Sequence, residues 1–286
     1  MRDMTTLPER AGRRCHNVVN TVHSALYFSP DLREELGRLG LQEGAYFAGR
    51  GAALGRVGAG TITATFYNFK HDMVAGFIPR LWDVASPQDV LQARLRACDS
   101  MMRRLLGDDV VASPEMAEAA ELALRATEGC SRSARPLYSA HADLPVPDAP
   151  HLAYWHAATL LREHRGDGHL MALAAAGVGP VEAIVSHAAS GKGMSEKWLL
   201  TTRGWSKEEL AAGRERLRER GLLDADGKLT EAGVKHREDL EDETDRLDAG
   251  PYEHLGAAGV ERLTELGTVF ETAVVKAGAF PPDLRG

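Results

Sequence analysis

Histidines are concentrated in one stretch of the sequence, from His141 to His169, which reads HADLPVPDAPHLAYWHAATLLREHRGDGH. Five of the 11 histidines lie here, interleaved with arginine, glutamate, aspartate, tyrosine and tryptophan. A histidine can gain or lose a proton near neutral pH, and a guanidinium group binds carboxylates and phosphates. The stretch therefore holds the residue types needed for acid–base catalysis, for metal binding or for binding an anion.

The spacing of these histidines argues against a metal site formed by two histidines of one helix. A helical two-histidine site needs ligands three or four residues apart, whereas His151 and His156 are five apart and His156 and His164 are eight apart. Only His164 and His169, separated by the flexible RGDG, can fold back toward each other. The sequence therefore predicts no metal and no other cofactor, with a zinc ion or a heme on one histidine as the less favoured alternative.

A small-molecule pocket suits the same residues better. Aromatic residues such as Trp155 and Phe66 can form apolar walls, while a few polar groups fix a ligand's orientation. Arg162 or Arg165 can bind a carboxylate through two parallel hydrogen bonds, so we expect a partly aromatic or carboxylated ligand. The candidate ligand-binding residues are His23, Phe66, Tyr67, His141, Tyr154, Trp155, Arg162, Glu163, Arg165 and Asp167.

Two alternatives stay open for the histidines. In the first, His156, His164 or His169 acts as a general acid or base, and the protein is an enzyme of secondary metabolism. No Ser-His-Asp or Cys-His order supports nucleophilic catalysis. In the second, the histidines and their charged neighbours form a buried structural network that joins the two halves of the chain.

The element that must position these residues is a helix. Asp148-Ala-Pro150 is a good helix start, and residues 151–165 are apolar around most of the helix circumference. A helix that is apolar all round is a buried one. His156 and Thr159 on it would then be buried polar groups that each need a partner.

The composition is that of an ordinary soluble globular protein, with 44% hydrophobic and 26% charged residues. Its abundant Ala and Leu at helical spacing predict a mostly α-helical chain. Three distant cysteines and no CxxC pair indicate neither a disulfide framework nor a thiolate zinc site. We find no membrane-spanning run and no signal peptide, which makes a reduced cytoplasmic location the expected one.

The C-terminal half has the order of a winged helix. Ser206-Lys-Glu-Glu209 is a capping box that opens a helix ending at Gly221. Asp226-Gly227 is typical of a hairpin turn, and a further helix starts at Thr230 or Glu231. This order of helix, helix, hairpin and helix predicts a winged helix-turn-helix over residues of about 170–248.

The first half resembles the second at low identity. ALGRVGAGTITATFYNF from Ala53 aligns with ALAAAGVGPVEAIVSHA from Ala172, and each half later has a tryptophan, a serine cap and an arginine-rich helix. Residues 61–69, TITATFYNF, fit either a strand or a buried helix. We predict a mainly α fold of two pseudo-repeated winged-helix-like halves, 1–140 and 141–286, joined by a buried central helix and carrying short β-hairpin wings. Two unrelated helical segments are the alternative.

The charge pattern does not favour DNA binding, although it does not exclude it. The net charge is −7, while phosphate binding depends on Lys and Arg. Arg214, Arg216, Arg218 and Arg220 are two residues apart, which scatters them around a helix. The following segment, EAGVKHREDLEDETDRLD, is strongly acidic.

Three blocks of the sequence resemble an actinobacterial helix-turn-helix-type protein family of poorly assigned function. They are AYFAGRGAALGRVGAGTITATFYNF, RPLYSAHADLPVPDAPHLAYWHAATLLREHRGDGH and TTRGWSKEELAAGRERLRERGLLDADGKLTEAGVKHRE. The resemblance implies a helical protein with a winged-helix-like module, and it implies no activity. The chain departs from it at Val146, where a tryptophan is expected, so one pocket wall would differ.

These observations give three hypotheses of function. The favoured one is a small-molecule-binding protein, with the pocket at the junction of the two halves, that acts as a ligand-responsive regulator. The second is the histidine-dependent enzyme, and the third is a DNA-binding transcriptional repressor. A homodimer is compatible with each of them, and none involves a membrane.

Overall fold

A computed structural model describes residues 7–284, and the chain it shows is built from α-helices. Short 3-10 segments at Ala25–Phe28 and Ala52–Leu54 extend two of the helices. In chain order the helices are α1 (Ala11–Ser24), α2 (Pro30–Arg38), α3 (Ala45–Gly51), α4 (Ala59–Phe66), α5 (His71–Ala75), α6 (Leu81–Val84), α7 (Pro87–Leu106), α8 (Asp108–Val111), α9 (Pro114–Thr127), α10 (Pro136–Ala142), α11 (Pro150–Ala175), α12 (Pro180–Ala189), α13 (Glu196–Thr202), α14 (Lys207–Glu219), α15 (Glu231–Leu247) and α16 (Ala249–Lys276).

The helices form two compact units, each assembled from separate stretches of chain. Unit 1 comprises Met1–Arg56, Arg80–Asp167 and Asp245–Phe280, and unit 2 comprises Val57–Pro79, Gly168–Thr244 and Pro281–Gly286. The chain passes from one unit to the other within α11 and again within α15. The division of the sequence at residue 140 rests on the sequence repeat, and it stays a prediction.

Unit 1 is organised around α1, α7, α9, α11 and α16. The sequence predicts a helix from Ala11 to Phe28, and the structure confirms it, with Val22 and Leu26 of its apolar stripe fully buried. α1 packs closely on α16, where a Cβ atom added to Gly267 would lie 2.8 Å from the Val18 side chain. Close approach of these two helix backbones therefore depends on a residue without a side chain.

Unit 2 contains the helix-turn-helix segment. The predicted capping box at the start of α14 is confirmed, because Ser206 and Glu209 each bind the other's backbone amide. The core under α12, α13 and α14 is aliphatic and comprises Val181, Ile184, Val185, Leu199, Leu210, Leu217, Leu222 and Leu223. This spacing places one apolar stripe of each helix inside the unit and leaves its polar stripe outside.

The predicted β-hairpin wings are wrong, and so is the fold of two winged-helix halves that included them. Within residues 7–284 the structure has no β-strand, and the segment after α14 contains one isolated antiparallel bridge between Leu223 and Leu229. The Asp224 side chain accepts the amides of Asp226 and Lys228. In this compact turn the Asp224 side chain satisfies the backbone amides of Asp226 and Lys228, so too few residues remain to form a ladder of hydrogen bonds between two strands.

Most of the stretch 61–69, which fitted either a strand or a helix, is helical, and residues 67–69 lie beyond the end of the helix. Residues 61–66 belong to α4, and the Thr63 and Thr65 hydroxyls donate to the carbonyls of Ala59 and Thr61 one turn earlier. Its β-branched residues match a strand pattern, but a short apolar run does not by itself distinguish the two structures.

No single helix within residues 7–284 has both the length and the apolar composition of a membrane span; α11 and α12 meet that criterion only when they are taken together as a bent pair.

Candidate functional site

The N-terminal part of α11 is buried, as its sequence predicts. Tyr154, Trp155, Ala158 and Leu161 are at most 2% exposed. Its polar residues are buried as well, and Glu163 is 1% exposed. The helix therefore brings charged and aromatic side chains together inside unit 1.

Glu163 is held by two arginines. Arg50 of α3 donates to both of its carboxylate oxygens, at 3.0 and 2.8 Å, and Arg162 donates to Oε1 at 2.5 Å. Burial alone would raise the pKa of Glu163, but the guanidinium groups of Arg162 and Arg50 outweigh it and hold that pKa well below its usual range. Glu163 is therefore a fixed negative charge.

Arg94 of α7 lies close to Glu163 and its arginine partners, and within residues 7–284 it has no carboxylate partner of its own. It is 4% exposed, it donates to the Gly49 carbonyl at 2.9 Å and to His141 Nε2 at 3.0 Å, and it lies 5.4 Å from the centre of the Trp155 ring. His141 Nδ1 donates to the Leu137 carbonyl. Burial and the positive charge of Arg94 lower the pKa of His141 to about 3, so this histidine is neutral.

Side chains of α1 and the following 3-10 segment face the same arginines. The ring of His23 stacks on Trp155 at a centroid distance of 4.8 Å, and the Tyr27 ring lies 5.9 Å from the Arg162 guanidinium. Both ring nitrogens of His23, the Tyr27 hydroxyl and Asn20 Oδ1 are buried without a hydrogen-bond partner among the described residues. Unpaired buried polar atoms are rare in folded proteins.

His164 and Arg165 belong to a second polar group, which includes two aspartates. His164 Nδ1 donates to Asp248 Oδ1 at 2.6 Å, and its Nε2 accepts the Ser131 amide at 3.2 Å. Arg165 pairs with Asp245 at 2.8 Å, while Asp248 Oδ2 is buried without a hydrogen-bond partner among the described residues. Both ring nitrogens of His164 therefore have partners within the protein.

Asp167 has a structural contact at the start of α10. Its Oδ2 accepts the amides of Leu137 and Tyr138, at 3.1 and 2.9 Å, which satisfies two amides of the first turn of that helix. Burial raises the pKa of Asp167 to about 6, against the lowering effect of these amides.

The three histidines predicted for catalysis do not form one cluster. His164 is engaged by Asp248 in unit 1, whereas His169 belongs to unit 2 and shares a hydrogen bond with Thr244. Burial and the Arg94 charge lower the pKa of His156 to about 4. The general acid–base role stays a prediction.

The predicted aromatic walls are divided between the units. Tyr154 and Trp155 lie in unit 1, while Phe66 packs on Phe69 and the Tyr67 hydroxyl donates to the Val178 carbonyl, all in unit 2. Neither unit by itself therefore assembles the full predicted set. Tyr154 packs edge-on against Phe270 of α16.

Residues 7–284 contain no group of three or more His, Cys, Asp or Glu side chains that could hold a metal ion. The zinc and heme alternatives stay predictions.

Unit 2 presents a second candidate site, the outward face of α14. The turn between α13 and α14 contains Gly204 with φ +77°, a conformation that glycine adopts without strain. Leu210, Gly213 and Leu217 point into the core. The exposed residues of α14 are Lys207, Glu208, Ala211, Ala212, Glu215, Arg216 and Glu219.

Most arginines of α14 are held by carboxylates. Arg214 pairs with Glu196 of α13, and Arg216 pairs with Glu182 of α12. The helix-turn-helix stretch 178–230 contains nine basic and eight acidic residues, so it is almost neutral, while α15 contains seven acidic and three basic residues. The negative charge of this unit is therefore concentrated on α15 rather than on the helix-turn-helix itself.

The order of α12, α13 and α14, with a four-residue turn between the last two, is the arrangement of a helix-turn-helix. A protein-family model described as a helix-turn-helix family matches residues 12–281. The chain belongs to this helix-turn-helix family. The predicted resemblance to a helix-turn-helix-type family is thereby confirmed, while its actinobacterial origin stays a prediction. No curated protein and no solved structure matches the chain.

Arg50, Arg94 and Tyr27 were not among the residues predicted from the sequence. Arg94 carried a usable signal, because it lies on the apolar stripe of α7 formed by Val90, Ala97 and Met101. A charged residue on an apolar stripe is buried and needs a partner. Arg50 carried a weaker signal, since it is the one charged residue in the apolar segment AYFAGRG of α3.

Proposed function

We propose that this protein is a DNA-binding regulator and that α14 of unit 2 is the helix that enters the major groove. The observation that carries the proposal is membership of a helix-turn-helix family across residues 12–281, together with the α13–turn–α14 arrangement that the family name describes. In such modules the N-terminal residues of the second helix contact base edges.

The exposed face of α14 has side chains that can distinguish bases. Glutamate accepts a hydrogen bond from the amino group of cytosine, and alanine packs on the methyl group of thymine. Glu208, Ala211, Ala212 and Glu215 share this face near the N-terminal end of the helix. We therefore expect recognition of a site containing C·G and T·A pairs.

The same face offers few phosphate contacts. Lys207 at the start of α14 and Lys228 in the following turn are exposed, and no ion pair engages either one within the described residues. With about two phosphate contacts per chain, the logarithm of the DNA association constant would fall with the logarithm of salt concentration at a slope of about −2. Weak non-specific binding is the expected consequence of the net charge of −7.

The proposal also includes two binding partners, a second copy of the chain and a small-molecule effector. A homodimer would place two copies of α14 on half-sites about 34 Å apart. A small-molecule effector is the other partner, and the buried polar cluster of unit 1 is the region that we assign to it.

The experiment is selection of double-stranded DNA from a random-sequence library by the full chain at low salt, followed by fluorescence anisotropy with the enriched duplex. The decisive variant is Ala211→Glu, which adds a charge to the exposed face of α14 without touching the core. The matched control is Ala117→Glu on the exposed face of α9 in unit 1.

We expect one enriched sequence, a loss of affinity of at least about tenfold in Ala211→Glu because a like charge faces the duplex, and no change in Ala117→Glu. A library that yields no enriched sequence would overturn the proposal. Unchanged affinity in Ala211→Glu would show that α14 is not the reading helix.

A further inference from the structure

We propose that unit 1 binds a small carboxylate-bearing molecule with a planar body, at the cluster formed by Arg94, Arg162, His23 and Tyr27. The proposal names the ligand class of the effector assigned to unit 1 and in that respect rests on the proposed function, but binding of the ligand itself does not require α14 to contact DNA.

Positive charge is the first feature of the cluster. Arg162 and Arg50 pair with Glu163, whereas Arg94 has no carboxylate partner within residues 7–284, and the neighbouring His141 is neutral. Arg94 is 4% exposed and its hydrogen-bond partners are neutral groups. A buried guanidinium without a counter-charge is costly, and an anionic ligand would supply the missing negative charge.

The cluster also contains unused hydrogen-bonding groups. His23 is 0% exposed, and within the described part of the chain neither its ring nitrogens nor the Tyr27 hydroxyl has a hydrogen-bond partner. Arg94 donates through one Nη only, and within residues 7–284 its Nε and other Nη make no hydrogen bond. Burial and the charge of Arg162 hold the pKa of His23 well below its ordinary value, so the neutral ring offers one N–H donor.

These unused donors are the groups that a carboxylate requires. The two oxygens of a carboxylate accept up to about four hydrogen bonds, and Arg94, His23 and Tyr27 could supply them. Asn20 lies three residues before His23 on the same face of α1, and its unpaired Oδ1 would accept a hydroxyl or amide of the ligand. Two consecutive elements therefore direct unsatisfied polar atoms at one set of arginines.

Aromatic rings around the cluster indicate the body of the ligand. The His23 ring contacts the rings of Tyr27 and Trp155, and Tyr46 packs edge-on against Tyr27. Aromatic side chains favour a flat ligand. The Arg162 side chain is 22% exposed, so the cluster has an edge toward solvent through which a small molecule could enter.

Thermal unfolding and calorimetric titration of the full chain would test this site with benzoate as the probe. Benzamide, which has the same shape without the charge, is the neutral comparison, and sodium chloride at equal ionic strength is the salt control. Inorganic phosphate is the second anion. We expect benzoate to raise the midpoint of thermal unfolding in a concentration-dependent manner, and benzamide and chloride to have no effect.

The decisive variant is Tyr27→Phe, which removes the unpaired hydroxyl and keeps the ring. We expect it to fold and to bind benzoate about tenfold more weakly, because a hydrogen bond to a charged group is lost. Tyr252→Phe is the matched control, since within residues 7–284 the Tyr252 hydroxyl is also buried and unpaired, but its charged neighbours are Asp248 and Arg165 rather than Arg94 and Arg162. Its affinity for benzoate should be unchanged.

Three results would overturn the proposal: no stabilisation by benzoate beyond that of chloride, equal binding of benzamide, or equal losses of affinity in the two tyrosine variants. Stabilisation by phosphate alone would overturn the assignment of a carboxylate ligand.

Discussion

The two units of this protein differ in the charge that they bury. Unit 2 encloses an aliphatic cluster, and its buried charged residues Arg237 and Glu182 are 8% and 9% exposed. Unit 1 buries Arg94, His141 and Glu163 at 0–4% exposure among its aromatic residues. An aliphatic core costs little to maintain, whereas a buried charge is retained only where it is paired or used. This difference is the reason that we assign the proposed ligand to unit 1 and the proposed DNA contact to unit 2.

The contrast predicts that removing a charge damages unit 1 severely. Glu163→Ala should lower the free energy of unfolding by about 3–5 kcal/mol, because Arg50 and Arg162 would lose their buried counter-charge. Chemical denaturation measures the change. Glu118→Ala removes an exposed partner of Arg262 and should cost less than about 1 kcal/mol. Equal losses in the two variants would mean that the buried cluster has no special energetic role.

Acid should destabilise the protein through its buried neutral histidines. Burial lowers the pKa of His156 to about 4, whereas an unfolded histidine titrates near about 6.5. Between these values the unfolded chain binds more protons, so the free energy of unfolding falls as pH decreases from about 6.5 toward 4. Asp167, with a pKa raised to about 6, opposes this trend, since its contribution is lost as pH rises.

Comparison of His156→Gln with the native chain isolates the effect of His156 on the pH dependence of the free energy of unfolding. The effect of Asp167 on that dependence is the same in both proteins and cancels. The variant should reduce the dependence of unfolding free energy on pH by up to about 1.4 kcal/mol per pH unit between pH 6 and 4.5. If the unfolding free energy of His156→Gln depends on pH as steeply as that of the native chain, His156 is not held neutral by burial.

The stability of unit 2 should depend on side-chain packing rather than on buried charge. A Cβ atom added at Gly233 would lie 2.1 Å from the Leu222 carbonyl oxygen, so Gly233→Ala should destabilise the protein by about 1–3 kcal/mol. Gly60 of α4 has open space around it, and Gly60→Ala should be neutral or stabilising by up to about 1 kcal/mol. Thermal unfolding would contradict the packing argument if it ranked the two variants in the reverse order.

The smallest expected effect is loss of the helix cap on α14. Ser206→Ala should cost about 1 kcal/mol, because the Glu209 amide loses its partner. Thr201→Ala on α13, where the hydroxyl donates only to preceding backbone carbonyls, should change stability by less than about 0.5 kcal/mol. Urea denaturation that gives the same midpoint for both variants would show that the capping box is dispensable.

Local signals in the sequence predicted much of this architecture. The buried N-terminal part of α11 follows from its apolar circumference, and the start of α14 follows from Ser206 and Glu209, because both depend on residues a few positions apart. The absence of β-hairpin wings was not predictable in the same way, since a DG turn is compatible with a ladder or with the compact turn that Asp224 makes.

The candidate site was predicted in part. Trp155, Arg162 and Glu163 were selected from the histidine-rich stretch, but Arg50 and Arg94 come from distant helices, and no local pattern shows that they meet Glu163 or His141. Phe66 and Tyr67 were selected by composition alone and lie in the other unit. Long-range pairing of charges is the part that local periodicity does not encode.

Hydrogen exchange of the full chain, read by mass spectrometry with the enriched duplex and separately with benzoate, tests the division of roles between the two units most directly. We predict that the duplex slows exchange in residues 196–219 and that benzoate slows exchange in residues 20–27 and 155–163. Protection of residues 20–27 and 155–163 by the duplex, with none in residues 196–219, would contradict it.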